Sequence, residues 1–149
     1  MELTEQHRQF LEKTRGAAMI TLRRDGAAHA VRVGVALVDG RVWSSGTQDR
    51  LRTRLLRRDP RCTLFFWEQG HGFLTLEGKV TLIEGTEVPE LSLRLFRTMQ
   101  AGMSPGPAPG NVMWYGRELT PDEFRAAMVR ERRLIYQFEV ERAYGPAMR

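Results

Sequence analysis

Residues 42–61 read VWSSGTQDRLRTRLLRRDPR and combine a short strand, a polar turn and an arginine-rich helix. The strand Val42–Ser45 places two hydroxyl groups directly before Gly46, and the helix that follows ends at Asp59–Pro60. The first N–H groups of a helix have no intrahelical partner and lie at the positive end of the helix dipole, so they favour anions. With Arg50 beside them, these groups predict a phosphate site, and a phosphate-bearing cofactor is the leading hypothesis.

The composition is that of a globular protein. The chain has 149 residues, of which 42% are hydrophobic and 28% are charged, and this predicts one domain over residues 1–149 with a substantial core. No apolar run approaches the roughly 20 residues that a membrane span needs, and the acidic, polar N-terminus is unlike a secretory signal. The single cysteine, Cys62, excludes an internal disulfide and fits the reducing cytoplasm.

Arginine provides the net charge of +5, because Lys13 and Lys79 are the only lysines. The arginine fork matches the geometry of phosphate and carboxylate groups, which suits anionic ligands. A sequence pI of about 10.1 also leaves open a nucleic-acid-binding barrel. The arginines cluster on one helix, however, and the strands do not alternate basic and aromatic residues as a stacking surface for bases would. We therefore expect a small-molecule ligand, no nucleic acid and no membrane partner.

Alternation of apolar and polar residues predicts strands over most of the first half of the chain. Thr4 is placed to cap a helix over residues 5–14, and Asp25–Gly26 and Asp39–Gly40 are hairpin-turn signals. The predicted strands cover residues 18–24, 28–38, 41–45, 62–68 and 73–84. In the second of them, one face carries Val31, Val33, Val35 and Leu37, and the other carries Arg32, Gly34 and Ala36.

The second half of the chain is more helical. Thr86 is placed to cap a helix whose apolar residues follow helical spacing, namely Leu91, Leu95, Phe96 and Met99. Residues 101–119 are rich in glycine and proline, which predicts a long functional or mobile loop. Its residues 101–117, with Met103, Met113, Trp114 and Tyr115, are the candidates for reaching a partner subunit or covering the substrate. The capping box Thr120–Glu123 opens a helix to about Arg130, and residues 134–140 form the last strand. About six strands with helices at the margins predict a mainly β fold with peripheral helices, a closed or split antiparallel barrel.

Five stretches of the sequence occur in the order typical of a known superfamily. They are MITLRRDG at 19–26, AVRV at 30–33, the segment 42–61, LEGKV at 76–80 and YQFEVERAYG at 136–145. Together they are spread along most of the chain and resemble the pyridoxamine 5'-phosphate oxidase-like split β-barrel flavoproteins, in particular the branch that uses FMN or the deazaflavin coenzyme F420. This resemblance implies a split β-barrel and a homodimer that holds the cofactor between its subunits.

The resemblance also implies a set of cofactor-binding residues. They are Val31, Arg32, Val33, Ser44, Ser45, Thr47, Arg50 and Arg54. The backbone of residues 31–33 would line the isoalloxazine ring, the three hydroxyl groups would face the phosphate or ribityl chain, and Arg50 would hold the phosphate. Leu51 departs from the family pattern, which usually has a lysine after that arginine. Either Arg50 or Arg54 supplies the missing charge, or cofactor binding is weakened or lost.

The sequence assigns no catalytic residue. It contains no nucleophile elbow and no phosphate or dinucleotide loop, and its cysteine and three scattered histidines lack metal-ligand spacing. In cofactor enzymes the cofactor carries the chemistry, and the resemblance implies a deazaflavin (coenzyme F420)-dependent reductase that transfers a hydride to a small conjugated organic substrate. The alternatives are an FMN-binding pyridoxamine 5'-phosphate oxidase-like oxidoreductase and a non-catalytic flavin- or haem-binding protein, because one fold can serve several functions.

Overall fold

The computed structural model describes residues 1–146, which form four helices and nine strands. The helices are α1 (Glu5–Lys13), α2 (Leu51–Arg58), α3 (Val88–Gln100) and α4 (Pro121–Arg130). The strands are β1 (Gly16–Leu22), β2 (Ala28–Gly34), β3 (Ala36–Val38), β4 (Arg41–Thr47), β5 (Arg61–Trp67), β6 (Phe73–Ile83), β7 (Val112–Trp114), β8 (Arg117–Leu119) and β9 (Arg133–Tyr144). Within these described residues, every helix is too short or too polar to cross a membrane.

Seven strands form one antiparallel sheet in the order β2-β1-β5-β6-β9-β4-β3. Its two edge strands, β2 and β3, are consecutive in the chain and are separated only by Val35. The sheet must therefore curl until its edges meet. The Ser44 hydroxyl of β4 donates to the Gly34 carbonyl at the end of β2, at 2.7 Å, and joins the two sides. The predicted mainly β fold with peripheral helices, a split β-barrel, is confirmed.

The predicted strand over residues 28–38 is in fact two strands. The Val35 N–H donates to the carbonyl of Arg15 at 2.8 Å, which extends the β1–β2 pairing by one residue. After Val35 the chain passes from one edge of the sheet to the other, where β3 pairs with β4. The predicted faces are correct: Val31, Val33, Val35 and Leu37 pack in the barrel core. On the other face Ala36 packs under α3.

Two predictions in the second half need correction. Thr86 does not cap α3, because it lies inside the turn in which the Val88 N–H donates to the Gly85 carbonyl at 3.2 Å; Glu87 occupies the cap position and makes no side-chain hydrogen bond there. Residues 101–119 are not all loop, since β7 and β8 form a hairpin within them. Each of these strands has only three residues, too few for a clear alternation.

The capping predictions for α1 and α4 are confirmed. Thr4 Oγ1 accepts the His7 N–H at 3.2 Å, and Thr120 Oγ1 accepts the Glu123 N–H at 3.3 Å. In α4 the Glu123 carboxylate also accepts the Thr120 N–H, which completes the capping box.

Helix α3 packs against two hydrophobic clusters outside the barrel interior, one on the sheet and one beneath α4 and the β7–β8 hairpin. The barrel interior is filled by large buried side chains that include Met19, Leu64, Phe66, Leu76 and Tyr136. Leu95 of α3 packs on the outside of the sheet against Trp43 and Ile135. Leu93 of the same helix packs against α4 and the β7–β8 hairpin. Because α3 contacts both the sheet and the hairpin, it fixes the β7–β8 hairpin beside the barrel.

Candidate functional site

A cleft of about 290 Å³ lies where β2, the β4–α2 connection, α3 and the β7–β8 hairpin meet. Its walls are Arg32, Val33, Gly34, Ser45, Arg50, Arg52, Phe96, Met99, Trp114, Tyr115 and Arg133. An adjoining hollow of about 510 Å³ shares three of these residues and adds Thr47, Asp49 and Glu131. We call the two spaces together the cationic cleft.

Three arginines of the cationic cleft lack an acidic partner. Arg32, Arg50 and Arg52 form no ion pair with any carboxylate of residues 1–146. Arg52 is half-buried, and this burial lowers its pKa. A charge removed from water without a counter-charge is costly. The arrangement therefore favours an anionic ligand.

Two polar atoms in the wall of the cleft are also unsatisfied. Ser45 Oγ and Arg52 Nε are buried and have no hydrogen-bond partner among the described residues. Buried polar atoms in folded proteins are nearly always paired. Ser45 Oγ can donate or accept and Arg52 Nε donates, so both suit a phosphate oxygen. The residues present therefore fit a phosphate-bearing cofactor.

The Arg52 side chain rests on a buried support. Its guanidinium lies over the Tyr136 ring, 5.6 Å from the centroid, and donates to the Ser45 carbonyl at 3.3 Å. Thr53 Oγ1 contacts the Tyr136 hydroxyl and donates to the Thr47 carbonyl at 2.7 Å. A Cβ at Gly46 would overlap the Tyr136 phenol, so this position requires glycine. These contacts fix the start of α2 against β4 and β9.

Another part of the cleft wall is aromatic. Trp114 meets Phe96 and Tyr115 edge to face, with ring centroids 4.9 Å apart in each pair. The Trp114 indole N–H donates to Glu131 at 2.9 Å. Glu131 also holds the buried Arg133 at 2.8 Å, and the Arg133 guanidinium lies 4.8 Å from the Trp114 ring centroid. An aromatic wall that faces a cationic wall fits a planar ring that carries an anionic group.

Another hollow, of about 480 Å³, lies between the N-terminal segment and the β4 and β9 strands. Its charged side chains balance, since Glu2 and Glu139 oppose Arg8 and Arg41. None of the unsatisfied buried polar side-chain atoms of the described residues belongs to its lining. The cationic cleft is therefore the better candidate site.

The structure brings half of the eight predicted cofactor residues into the 290 Å³ part of the cleft: Arg32, Val33, Ser45 and Arg50. Thr47 lines the adjoining hollow, where its hydroxyl donates to Asp49 at 2.9 Å. The remaining three lie elsewhere. Val31 packs in the barrel core, Ser44 is committed to the Gly34 carbonyl, and Arg54 is exposed and lines neither part of the cleft.

Sequence reasoning missed Arg52 and, in the aromatic wall, Phe96, which it assigned only to the apolar face of a helix. Arg52 was hidden in a row of arginines on α2, and only the position of the first turn of this helix shows that it faces the cleft. Its guanidinium supplies a second positive charge beside Arg50, a role that the sequence had offered to Arg50 or Arg54 in view of Leu51. Trp114 and Tyr115 gave a visible signal, an aromatic pair after a segment rich in glycine and proline.

Comparisons with solved structures agree with this fold. A conserved hypothetical protein from Mycobacterium tuberculosis is 19% identical, with a TM-score of 0.70 over 96% of this chain and 84% of the other. An F420 reductase is 16% identical, with a TM-score of 0.67 over 95% and 98% of the two chains. A proposed pyridoxamine 5'-phosphate oxidase from Listeria innocua is 16% identical, with a TM-score of 0.61 over 93% and 94%. At these identities the similarity shows the fold alone.

No curated protein matches the chain significantly. Residues 3–113 match the family model described as pyridoxamine 5'-phosphate oxidase. This match covers more than half of the chain, and it includes β1 to β6, α2 and most residues of the cationic cleft. The chain therefore belongs to the pyridoxamine 5'-phosphate oxidase family, as its resemblance to that superfamily implied.

Proposed function

We propose that this protein is a deazaflavin (coenzyme F420)-dependent reductase that transfers a hydride to a small conjugated organic substrate. The observation that carries the proposal is the cationic cleft, in which unpaired arginines face an aromatic wall. A cofactor with a planar ring and a phosphate group has both of the complementary features. Membership in an oxidoreductase family is consistent with redox chemistry in this cleft.

In this proposal Arg50 and Arg52 hold the phosphate, and Ser45 completes the set of hydrogen-bonding groups. The backbone of Arg32 and Val33 borders the ring. Trp114 and the other aromatic residues of the cleft exclude water from the opposite side. When bound, the cofactor supplies a two-electron hydride donor, and the protein provides binding, orientation and electrostatics.

One consideration supports the deazaflavin over FMN. A solved structure of an F420 reductase shares the fold along nearly the whole length of both chains. An FMN-binding oxidoreductase is the second candidate, because the matched family model carries the description of pyridoxamine 5'-phosphate oxidase. A non-catalytic flavin- or haem-binding protein would use the same cleft without turnover.

A homodimer is part of the proposal. Phe65, Trp67 and Phe73 form a surface that we call the aromatic ridge, on the outside of β5 and β6. The Phe65 ring lies 5.9 Å from Trp67 and 5.4 Å from Phe73, and Trp67 is 47% exposed. A stacked aromatic surface of this kind is typical of protein–protein interfaces. We expect a second copy of the chain to cover it.

A titration of FMN and of the deazaflavin into the purified protein tests the choice of cofactor. We expect the deazaflavin to bind and, once reduced, to be oxidised when quinones or tetrapyrroles are added, which absorbance follows directly. Tight binding of FMN alone, with peroxide released in air, would favour the oxidase alternative. If neither cofactor binds, both oxidoreductase proposals are wrong.

A further inference from the structure

Two hairpins of this fold have two-residue turns with the same backbone conformation. The β3–β4 turn is Asp39–Gly40, with φ of 51° and 76°, and the β7–β8 turn is Tyr115–Gly116, with φ of 49° and 78°. Positive φ at both positions defines a type I′ turn, whose first position favours Asn, Asp or Gly. Asp39 follows this preference. A tyrosine in the left-handed region is strained, so the stability of the hairpin does not explain Tyr115.

The position of Tyr115 in the molecule suggests another reason for its presence. It is 75% exposed, more than any other large hydrophobic residue among residues 1–146, yet it lines both parts of the cationic cleft. It also lines a hollow of about 400 Å³ between the hairpin and α4. A single side chain at the tip of the hairpin therefore borders three neighbouring spaces.

The cleft holds the Tyr115 side chain at two points. Its hydroxyl accepts a hydrogen bond from the Arg133 guanidinium at 3.3 Å, and Glu131 fixes Arg133 in turn. Its ring contacts the edge of Trp114, whose indole N–H is held by the same carboxylate. Trp114 is thus a fixed wall, and Tyr115 is the exposed side chain at its outer end.

We propose that Tyr115 is the residue that closes the cationic cleft over a bound planar ring, and that the strained turn serves to present it there. This inference rests on the proposed function, because a planar cofactor or substrate ring is what an aromatic side chain can cover. Before the ligand binds, Tyr115 is exposed and leaves the mouth of the cleft open, so it does not hinder entry of the ligand. The closing side chain therefore slows dissociation of the ligand and leaves association nearly unchanged.

Replacement of Tyr115 by the residue that the turn prefers separates this role from a structural one. Tyr115→Asn relieves the turn and should raise Tm by about 2–4 °C. The same variant loses the aromatic cover, so the dissociation constant for FMN or the deazaflavin should rise roughly tenfold through faster dissociation. A side chain with only a structural role would not make the protein more stable and a weaker binder at once.

Two further variants serve as controls. Tyr115→Phe keeps the ring and loses only the hydroxyl contact with Arg133, so it should bind more tightly than Tyr115→Asn. Asp39→Tyr places tyrosine in the matching turn outside the cleft and also removes the exposed ion pair between Asp39 and Arg94; it should lower Tm and leave the dissociation constant unchanged. Stopped-flow fluorescence with FMN and the deazaflavin as probes measures the rates, and thermal unfolding without ligand measures Tm.

The outcomes distinguish this inference from the function on which it rests. Equal dissociation rates for the wild-type protein and Tyr115→Asn, with ligand bound to both, would overturn the closing role alone. A lower Tm for Tyr115→Asn would overturn the strained-turn argument. If the wild-type protein binds neither probe, the proposed function and this inference are both wrong.

Discussion

At the scale of single residues, Arg52 is the side chain on which the candidate site depends most. Arg52→Ala removes a half-buried cation from the wall of the cleft. A charge-assisted hydrogen bond contributes about 1.5–3 kcal/mol, so we expect the affinity for FMN or the deazaflavin to fall by roughly tenfold or more. Arg54→Ala is the matched control, because Arg54 lies on the same helix and is exposed outside the cleft.

Arg52 also packs on Tyr136, so the Tm of each variant without ligand must be measured beside the titration. Arg50→Ala separates the two effects, because Arg50 is exposed and its loss should weaken binding without unfolding. Equal affinities in Arg50→Ala, Arg52→Ala and Arg54→Ala would exclude the cationic cleft as the phosphate site.

The stability of α1 should depend on pH through His7. Its Nδ1 accepts the Thr4 N–H at 3.0 Å, which requires a neutral ring, and burial lowers the pKa of His7 below 6.5. The stabilisation of α1 by the hydrogen bond from Thr4 to His7 is therefore present above pH 6.5. It is lost as the pH falls through the lowered pKa of His7. Loss of a cap costs about 1 kcal/mol, or roughly 2–4 °C in Tm.

The variant His7→Gln tests this coupling, because glutamine keeps the acceptor at the same position of the capping box and does not titrate. Its Tm should fall less than that of the wild-type protein between neutral pH and about pH 5. Burial also lowers the pKa of His29, so some pH dependence should remain in the variant. Identical profiles of Tm against pH for the two proteins would show that His7 does not cause the pH dependence.

At the scale of elements, the packing of β4 against β9 requires glycine at position 46. In Gly46→Ala the new methyl group would overlap the Tyr136 phenol, and overpacking of this kind costs about 1–3 kcal/mol. We expect a clear fall in Tm and weaker cofactor binding, because Tyr136 supports Arg52. Gly16→Ala in β1 is the control for the Tm alone, since a Cβ there would meet the guanidinium of Arg32, a cleft residue, at 3.7 Å, an ordinary contact.

The elements also show how far the sequence alone can lead. Alternation and hairpin signals predicted the strands of the barrel, and side-chain caps predicted α1 and α4, because these are local patterns. The break at Val35 and the β7–β8 hairpin depend on where distant strands meet. In the site, Ser45 was predicted because it lies near the end of a strand, and Arg50 because it directly precedes the helix that follows. Arg52 could not be distinguished from its neighbours without the direction of α2.

At the scale of the whole molecule, the aromatic ridge should hold two copies of the chain together. Sedimentation should give about twice the 17.1 kDa of one chain. Trp67→Lys places a charge in the centre of the ridge and should shift the protein to a monomer with weaker cofactor binding. Val129→Lys is the control, because Val129 is 66% exposed on α4. A wild-type monomer that binds the cofactor would contradict the dimeric site.

The two edge strands of the sheet, β2 and β3, meet along a line that we call the seam. We expect amide hydrogen exchange at the seam to depend on ligand binding in the cleft. A Cβ at Gly34 would lie 2.9 Å from Met99 Sδ, so α3 packs directly on the seam and must move before the seam can open. The same helix lines the cleft through Phe96 and Met99, and a ligand bound there opposes this movement. At a ligand concentration of 100 times Kd, linkage adds about 2.7 kcal/mol to such an opening.

Exchange at the Val35 N–H, which donates to Arg15 at the end of the β1–β2 pairing beside the seam, should therefore slow by about a hundredfold. The N–H groups of α1 provide an internal reference, since none of its residues lines the cleft. No change at Val35 would mean that the seam opens independently of α3. The exchange rate of one backbone amide would thus measure how much a bound small molecule raises the free energy of opening the barrel.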